Sequence, residues 1–166
     1  MNAPLIAHFQ MLSKYNTGAN RRLYTACASL DDAARKLDRL GFFKSIHGTL
    51  NHILVGDRIW LTRFRGETIP STALDAILYD EFEALCAARE NEDSTIEVFF
   101  ESVGDAFFSD HIHYNNNEGR DLSDPTSLLA AHFFNHQTHH RGQVHDMLSQ
   151  EGIDTPVLDM HRTIRP

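Results

Sequence analysis

The stretch Ala131–Gln150, A-H-F-F-N-H-Q-T-H-H-R-G-Q-V-H-D-M-L-S-Q, holds five of the eleven histidines of this chain. It lies where the sequence predicts a long helix. On a helix, residues four apart lie one above the other, with about 5–6 Å between their Cβ atoms. His136 and His140 have this spacing. Two imidazoles so placed can bind one divalent metal through bonds of about 2.0–2.1 Å, and a third ligand must then come from another helix or loop.

On a helical wheel with about 100° per residue, six residues of this helix fall within one narrow stripe. The stripe consists of Leu129, His132, His136, His140, Gln143 and Met147. Because apolar residues share the stripe, we expect it to face the interior, with His139 at its edge and His145 on the opposite, solvent-exposed side. His132 and His136 form a second pair at the same spacing, so spacing alone does not choose between the pairs. A single buried histidine would more simply be a hydrogen-bonded core residue, whereas a pair on an interior stripe favours a metal.

The candidate for the third ligand is His52, which lies in the second long helix. Gly48 and Gly56 stand four residues before and after it. Two glycines on this face would leave space for a metal and its substrate, but they would equally permit close packing of helices. His47 points away from this face and is a weaker candidate.

The periodicity of apolar residues predicts a mostly helical chain. Three long helices are predicted before the histidine-rich one, over Leu5–Ala28, Ser45–Arg65 and Leu78–Phe107, the last in one or two pieces. Asp31 and Asp32, after Ser29, predict a helix cap and a short extra turn.

The composition changes at Asp110–Asp124, where alternation, asparagines and a glycine indicate a short β-hairpin or an ordered loop. Asp124 and Pro125 are expected to open the fourth long helix as its cap and first residue, and Gly152 to end it. The tail after Pro156 is expected to be extended. Four long helices with one longer connection indicate an all-α four-helix bundle, in a single domain over residues 1–166.

Composition excludes some classes of partner. The net charge is −8 with neutral histidines, which argues against nucleic acid, because phosphate binding needs a basic stripe. Cys27 and Cys86 lie in apolar helical patterns and form no CxxC motif, so we expect reduced core residues of a cytoplasmic protein. The sequence shows no signal-peptide pattern and no apolar run of about 18 residues, so we expect no membrane association.

Two motifs taken together resemble the DinB family. They are S-I-H-G-T-L-N-H-I-L-V-G-D-R-I-W-L in the second long helix and F-N-H-Q-T-H-H-R-G-Q in the fourth. The segments Y-N-T-G-A-N-R-R-L-Y in the first helix and L-S-Q-E-G-I-D at the end of the fourth resemble it too, so the likeness spans nearly the whole chain. The resemblance implies a four-helix bundle, a homodimer and a divalent metal held by three histidines. The family pattern falls on His52, His136 and His140, and it makes His132 a neighbour of the site.

Other polar residues have two interpretations each. Gln143 faces the same way as the histidine pair, and it would either touch a ligand or substrate or simply pack. Arg141 turns away from the stripe, which indicates an ion pair or packing, and Asp57 is expected to organise the core. Asn16 and Asn20 lie one turn apart on the first helix. They would either supply polar groups near the metal or form a solvated face.

The resemblance implies a metal-dependent enzyme of the thiol S-transferase type, acting on a small molecule and a low-molecular-weight thiol. Three histidine ligands fit this expectation, because catalytic sites keep an open position whereas structural sites use four protein ligands. Metal-dependent hydrolysis is an alternative, although no H-E-x-x-H motif supplies a general base. A non-enzymatic dimeric protein that binds or senses metal is another. Zinc is the first expectation for the ion, with nickel, iron and manganese as alternatives.

Overall fold

Four long helices carry most of the chain. The computed structural model describes residues 4–69, 72–116 and 119–164. Within them, the long helices are α1 (Leu5–Ala28), α3 (Ile46–Phe64), α4 (Phe82–Ser102) and α6 (Thr126–Gln150). Three short helices are added to these: α2 (Asp32–Lys36), α5 (Asp105–Phe108) and α7 (Met160–Thr163). The sequence predicted the four long helices, and the described residues form seven helices in all.

Local sequence signals fix several helix ends. The Ser45 side chain accepts a hydrogen bond from the Gly48 amide at 3.0 Å, so α3 begins with a serine cap. Asp31 caps α2 in the same way through the Ala34 amide, at 2.7 Å. Gly152 follows α6 with φ of +72°, a conformation that glycine adopts readily. The cap predicted at Asp31 and the helix end predicted at Gly152 are therefore confirmed, and Ser45, predicted as the start of its helix, is the cap of α3.

The fourth long helix starts differently from the prediction. Asp124 and Pro125 belong to strand β2 (Asp121–Pro125), which pairs antiparallel with β1 (His111–Asn115) in a hairpin. The Asp124 carboxylate accepts a hydrogen bond from the Tyr114 hydroxyl at 2.9 Å, so it is not free to cap α6. The prediction of Asp124 as cap and Pro125 as first helical residue was wrong, because cross-strand pairing extends to the residue before the helix.

Two other predicted elements change their limits. The third long helix begins at Phe82 rather than Leu78, and it ends before Val103–Gly104, after which α5 forms a separate turn. The tail after Pro156 is not wholly extended, because α7 forms at Met160–Thr163. The Tyr15 hydroxyl holds this tail by donating to the Leu158 carbonyl at 2.8 Å.

The long helices pack in a closed cycle. Helix α1 packs against α4 and α6, and α3 packs against the same two helices. This cycle makes α3 and α6 neighbours in space. In the sequence they are far apart, because 61 residues, including α4, α5 and the hairpin, lie between Phe64 and Thr126. The two helices that carry the candidate ligands therefore lie side by side. No helix of the described ranges has the length and apolar character needed to cross a membrane.

Two apolar clusters fill the space between the helices. The first is rich in phenylalanine and includes Phe9, Phe64, Phe99, Phe100, Phe108, Phe133 and Phe134. The second is rich in leucine and includes Leu23, Leu50, Leu54, Leu85, Val144 and Leu148, together with Cys27. Cys86 packs against this second cluster, and both cysteines are free thiols. Burial raises the pKa of the Cys27 thiol to about 12, so at neutral pH it is a protonated core residue, as the sequence predicted.

A buried polar layer separates the two apolar clusters along the helices. Arg89 donates to the Asp57 carboxylate at 2.6 Å and pairs with Asp93 at 2.9 Å. Asn16 and Asn20 donate to Asp93 at 3.1 and 2.9 Å. Both asparagines are buried to within 1% of their surface, so the solvated face predicted for them as one alternative is wrong. They bind an acidic core residue instead.

Two residues of α6 complete this layer. The Gln137 side-chain amide donates to Asp57 at 2.8 Å. Arg141 is 2% exposed and donates to the side-chain oxygens of Asn16 and Asn20. The layer thus joins α6 to α1 and α3 through hydrogen bonds between buried groups, which is how a core satisfies polar atoms away from water.

Candidate metal centre

The structure brings His52, His136 and His140 together. Their Nε2 atoms converge: that of His52 lies 3.0 Å from that of His136 and 3.2 Å from that of His140. One ring nitrogen of each histidine lies within 4.8 Å of the other two, in an arrangement that could hold a metal ion. Tetrahedral ligands on bonds of about 2.0–2.1 Å are themselves about 3.3–3.4 Å apart. The spacing of the three nitrogens therefore fits a divalent ion with little rearrangement.

The i, i+4 spacing on α6 sets the position of two of these rings. The ring centres of His136 and His140 are 4.4 Å apart. His52 reaches the pair from α3, and its ring centre lies 4.9 Å from that of His136 and 4.5 Å from that of His140. The convergence follows from the packing of α3 against α6, which no local pattern in the sequence specifies.

The glycines near His52 serve close packing. A Cβ atom at Gly56 would lie 2.7 Å from Cε1 of His136, and one at Gly48 would lie 2.2 Å from the Phe43 carbonyl oxygen. Both distances are shorter than van der Waals contact allows. The space that the sequence assigned to a metal and substrate is therefore taken by the His136 ring and by the Phe43 backbone, in agreement with the packing alternative.

Hydrogen bonds orient the His52 and His140 rings so that their unprotonated Nε2 atoms face one another. His52 Nδ1 lies 2.7 Å from the Leu74 carbonyl oxygen, which can only accept, so Nδ1 carries the proton and Nε2 has a free lone pair. His140 Nδ1 lies 2.7 Å from the Gln143 side-chain oxygen, which imposes the same tautomer. Two lone pairs facing each other at 3.2 Å repel unless a cation lies between them. This donor set fits a metal ion and does not fit a simple hydrogen bond.

Burial keeps these imidazoles neutral. It lowers the pKa of His52 to about 4, although the bond to the Leu74 carbonyl opposes the shift. Burial lowers the pKa of His136 to about 3, with the neighbouring His140 as the next cause. The pKa of His140 is lowered as well, again chiefly by burial. Neutral imidazole is the form that binds metals, so the cluster is ready to bind at neutral pH.

The remaining histidines of α6 lie outside the cluster. His132 is exposed, against the predicted inward position, and its ring centre is 6.1 Å from that of His136 and 5.2 Å from that of Trp60. His139 is exposed beside His140. His145 was expected in solvent, but it is half-buried and its Nε2 lies 3.2 Å from the Pro156 carbonyl. His47 is buried and bound to the Tyr79 carbonyl at 2.9 Å, away from the cluster.

Sequence reasoning missed two contacts of the site. The Phe43 ring stacks on the His52 ring with 3.6 Å between their centres, and the Leu74 carbonyl fixes the tautomer of His52. Both residues lie in irregular segments beside α3, where periodicity gives no signal. Gln143, by contrast, was singled out from the wheel. It is exposed rather than packed, and its contact with His140 corresponds to the first of its two predicted roles.

Comparisons with known proteins agree with this architecture. The family model for the DinB family matches residues 1–166. Protein DinB of Bacillus subtilis (strain 168) is 26% identical over 157 residues, which cover 89% of this chain and 88% of that protein. The crystal structure of a DinB-like protein from Bacillus cereus ATCC 10987 superposes with a TM-score of 0.63 at 18% identity, covering 86% of this chain and 90% of that one. The latter likeness concerns the fold, and the family model, which matches the chain throughout, shows that this chain belongs to the DinB family.

Proposed function

We propose that this protein holds a divalent metal ion through His52, His136 and His140, at the junction of α3 and α6 in a four-helix bundle, and that it uses the ion to activate a thiol for S-transfer. The observation that carries the proposal is the convergence of three Nε2 atoms, with that of His52 lying 3.0 Å from that of His136 and 3.2 Å from that of His140. For His52 and His140 the hydrogen bonds leave those nitrogens without protons.

The number of protein ligands favours chemistry over a purely structural role. Structural zinc sites are closed by four protein ligands, whereas catalytic sites keep a position for water or substrate. Among the residues that the structure describes, the cluster consists of three histidines, without a carboxylate or thiolate. A divalent ion bound there would lower the pKa of a thiol that joined it and so supply a nucleophilic sulfur at neutral pH.

The residues of the chain position the ligands. The Leu74 carbonyl and the Phe43 ring hold His52 from its Nδ1 edge and from its face. Gln143 holds His140 and also lies 3.3 Å from His139, so it links the cluster to an exposed histidine. In an S-transfer, the thiol sulfur bonds to an electrophilic carbon, the leaving group departs with its electron pair, and the thiol proton passes to solvent.

Zinc is the ion we propose first, because it accepts three imidazoles in a tetrahedral arrangement with one open position. Nickel, iron and manganese are tested alongside it, since imidazole binds several transition metals well. The homodimer and the cytoplasmic location stay predictions from the family resemblance and from the reduced cysteines.

The experiment is an S-transfer assay on untagged, full-length protein loaded separately with each of these metals. Several low-molecular-weight thiols are offered with an alkylating electrophile, and conversion is compared with that of metal-free protein and of the His136→Ala variant. We expect metal-dependent turnover with at least one thiol and none in either control. Tight metal binding without turnover on any thiol would contradict the transferase and favour a metal-binding or sensing protein.

A further inference from the structure

Two irregular segments contact His52 from different sides. In the segment before α3, the Phe43 ring stacks on His52 with an interplanar angle of 16°, and it also meets the His140 ring edge-on at 5.4 Å. In the segment after α3, the Leu74 carbonyl accepts the hydrogen bond from His52 Nδ1. Segments 37–44 and 72–77 therefore both border the three-histidine cluster.

These two segments hold a concentration of exposed apolar side chains. Within the described ranges, five of the eleven large apolar residues that are exposed belong to them: Leu37, Leu40, Phe42, Leu74 and Ile77. The most exposed are Leu40, at 96%, and Phe42, at 86%. Apolar surface gathered beside a cluster of candidate ligands, rather than scattered over the protein, marks a contact surface for another molecule.

The loop that carries Leu40 has a fixed backbone although this side chain is exposed. The φ of Leu40 is 60°, in the left-handed region where a Cβ atom is unfavourable and where glycine or asparagine fits better. The surrounding loop is fixed by hydrogen bonds from the Arg39 amide to the Lys44 carbonyl at 2.7 Å and from the Lys44 amide to the Gly41 carbonyl at 2.9 Å. The Leu40 side chain adds almost no packing to the fold. Lys44 in the same loop also has a positive φ, of 64°, so the left-handed backbone belongs to the loop, and the exposure of Leu40 is the observation that points to contact with a molecule outside the chain.

Charge limits the chemistry of that molecule. Three neutral imidazoles leave the charge of a divalent ion uncompensated, and no carboxylate of the described residues belongs to the cluster. The atom that completes the coordination is then favoured as an anion. The Phe43 ring stacks on the His52 ring and contacts the exposed Phe42 ring, so the apolar surface of this loop extends to the cluster.

We propose that the molecule bound at this centre carries an anionic donor atom, such as a thiolate, on an apolar body, and that Leu40 and Phe42 contact that body. The inference rests on the proposed function, since it requires the metal. It adds the class of ligand: a thiol with an aromatic or aliphatic body binds in preference to a small polar one.

The test is a spectroscopic titration of cobalt-loaded, full-length protein with two thiols of similar acidity, benzyl mercaptan and 2-mercaptoethanol. Binding is read from the thiolate-to-cobalt absorption band. The Leu40→Asn/Phe42→Ser double variant removes the apolar surface, and asparagine suits the left-handed backbone at position 40. The control is Val98→Gln, which removes an apolar side chain that is 64% exposed on α4.

We expect benzyl mercaptan to bind about tenfold more tightly than 2-mercaptoethanol, because its ring buries apolar area. The double variant should lose most of this preference while binding 2-mercaptoethanol within about twofold of the natural chain, and Val98→Gln should change neither affinity. Cobalt binding with equal affinities for the two thiols, or with a preference that the double variant retains, would overturn this inference alone. Failure to bind cobalt would overturn the proposed function and this inference together.

Discussion

The Nε2 atoms of His52 and His140 lie 3.2 Å apart, and each belongs to a ring whose proton is engaged at Nδ1. Helices α3 and α6 thus hold two lone pairs face to face, with the Nε2 atom of His136 3.0 Å from that of His52.

Replacing Gln143 by leucine should weaken metal binding. The substitution removes the oxygen that holds His140 Nδ1 at 2.7 Å, and loss of such a partner typically costs about 10–100-fold in metal affinity. Competition with a chelator of known affinity measures the change. Gln150→Leu is the matched control, because Gln150 is an exposed residue of α6 that contacts Asp146 instead. Equal affinities in the two variants would show that Gln143 does not support the site.

Gly56→Ala and Gly142→Ala should have opposite effects. A methyl group at position 56 would lie 2.7 Å from the His136 ring, whereas a methyl group at position 142 would have no described atom within 4 Å apart from its chain neighbours and the nearby backbone of α6. We expect Gly56→Ala to lower the free energy of unfolding by about 1–3 kcal/mol and to weaken metal binding. Gly142→Ala should raise the free energy of unfolding by about 0.5–1 kcal/mol, because alanine has a higher helix propensity than glycine. Urea denaturation measures both changes, and a stabilised Gly56→Ala protein with normal affinity would contradict the packing described.

Arg89→Met should be strongly destabilising. Arg89 is 2% exposed and pairs with both Asp57 and Asp93, so its loss leaves two carboxylates buried without their cation. Breaking a buried pair in this way costs about 3–5 kcal/mol. Arg162→Met is the control, because its pair with Asp159 is largely exposed and such pairs contribute less than about 1 kcal/mol. Similar losses of unfolding free energy in the two variants would contradict a structural role for the buried polar layer.

Metal affinity should change little between pH 7.5 and pH 6.0. Burial lowers the pKa of His52 to about 4 and that of His136 to about 3, so neither ring takes up a proton in this interval. Protons compete with the metal for the imidazole nitrogens only near the pKa values of the rings. Because these pKa values are lowered, metal affinity should fall only when the pH approaches them. Three ordinary imidazoles with pKa values of about 6.5 would lose about 50-fold in the same interval. We expect a loss below about fourfold by chelator competition, and a loss near 50-fold would show that the rings titrate normally.

Local patterns were sufficient for the helices and for the histidine pair. The spacing of His136 and His140 and the cap at Asp31 depend on residues close in sequence, and the structure has both features. Contacts between residues that are distant in the sequence could not be predicted from such local patterns. Phe43 and Leu74 reach His52 from loops whose conformations no periodicity specifies.

The orientation of α6 shows why one prediction was wrong. Its buried stripe is centred on Phe133, Gln137, Arg141, Val144 and Leu148. Because Gln137 and Arg141 are polar, the helical wheel did not assign them to the buried face. The predicted buried face was therefore shifted by about one residue from the observed one, and His132 was predicted to point inward. Their partners, Asp57 and Asn16, lie on other helices and become visible only when the fold is known. A buried polar layer therefore misleads a reading based on hydrophobicity alone.

The metal content of untagged, full-length protein, compared with that of its His52→Gln variant, tests the three-histidine centre most directly. After dialysis against a weak chelator, we expect about one divalent ion per chain in the natural protein and less than about one tenth of that in the variant. Circular dichroism should show the same helical content in both, which separates loss of the ion from loss of the fold. Full metal retention in a folded His52→Gln protein would contradict the assignment of His52 as a ligand and, with it, the three-histidine centre.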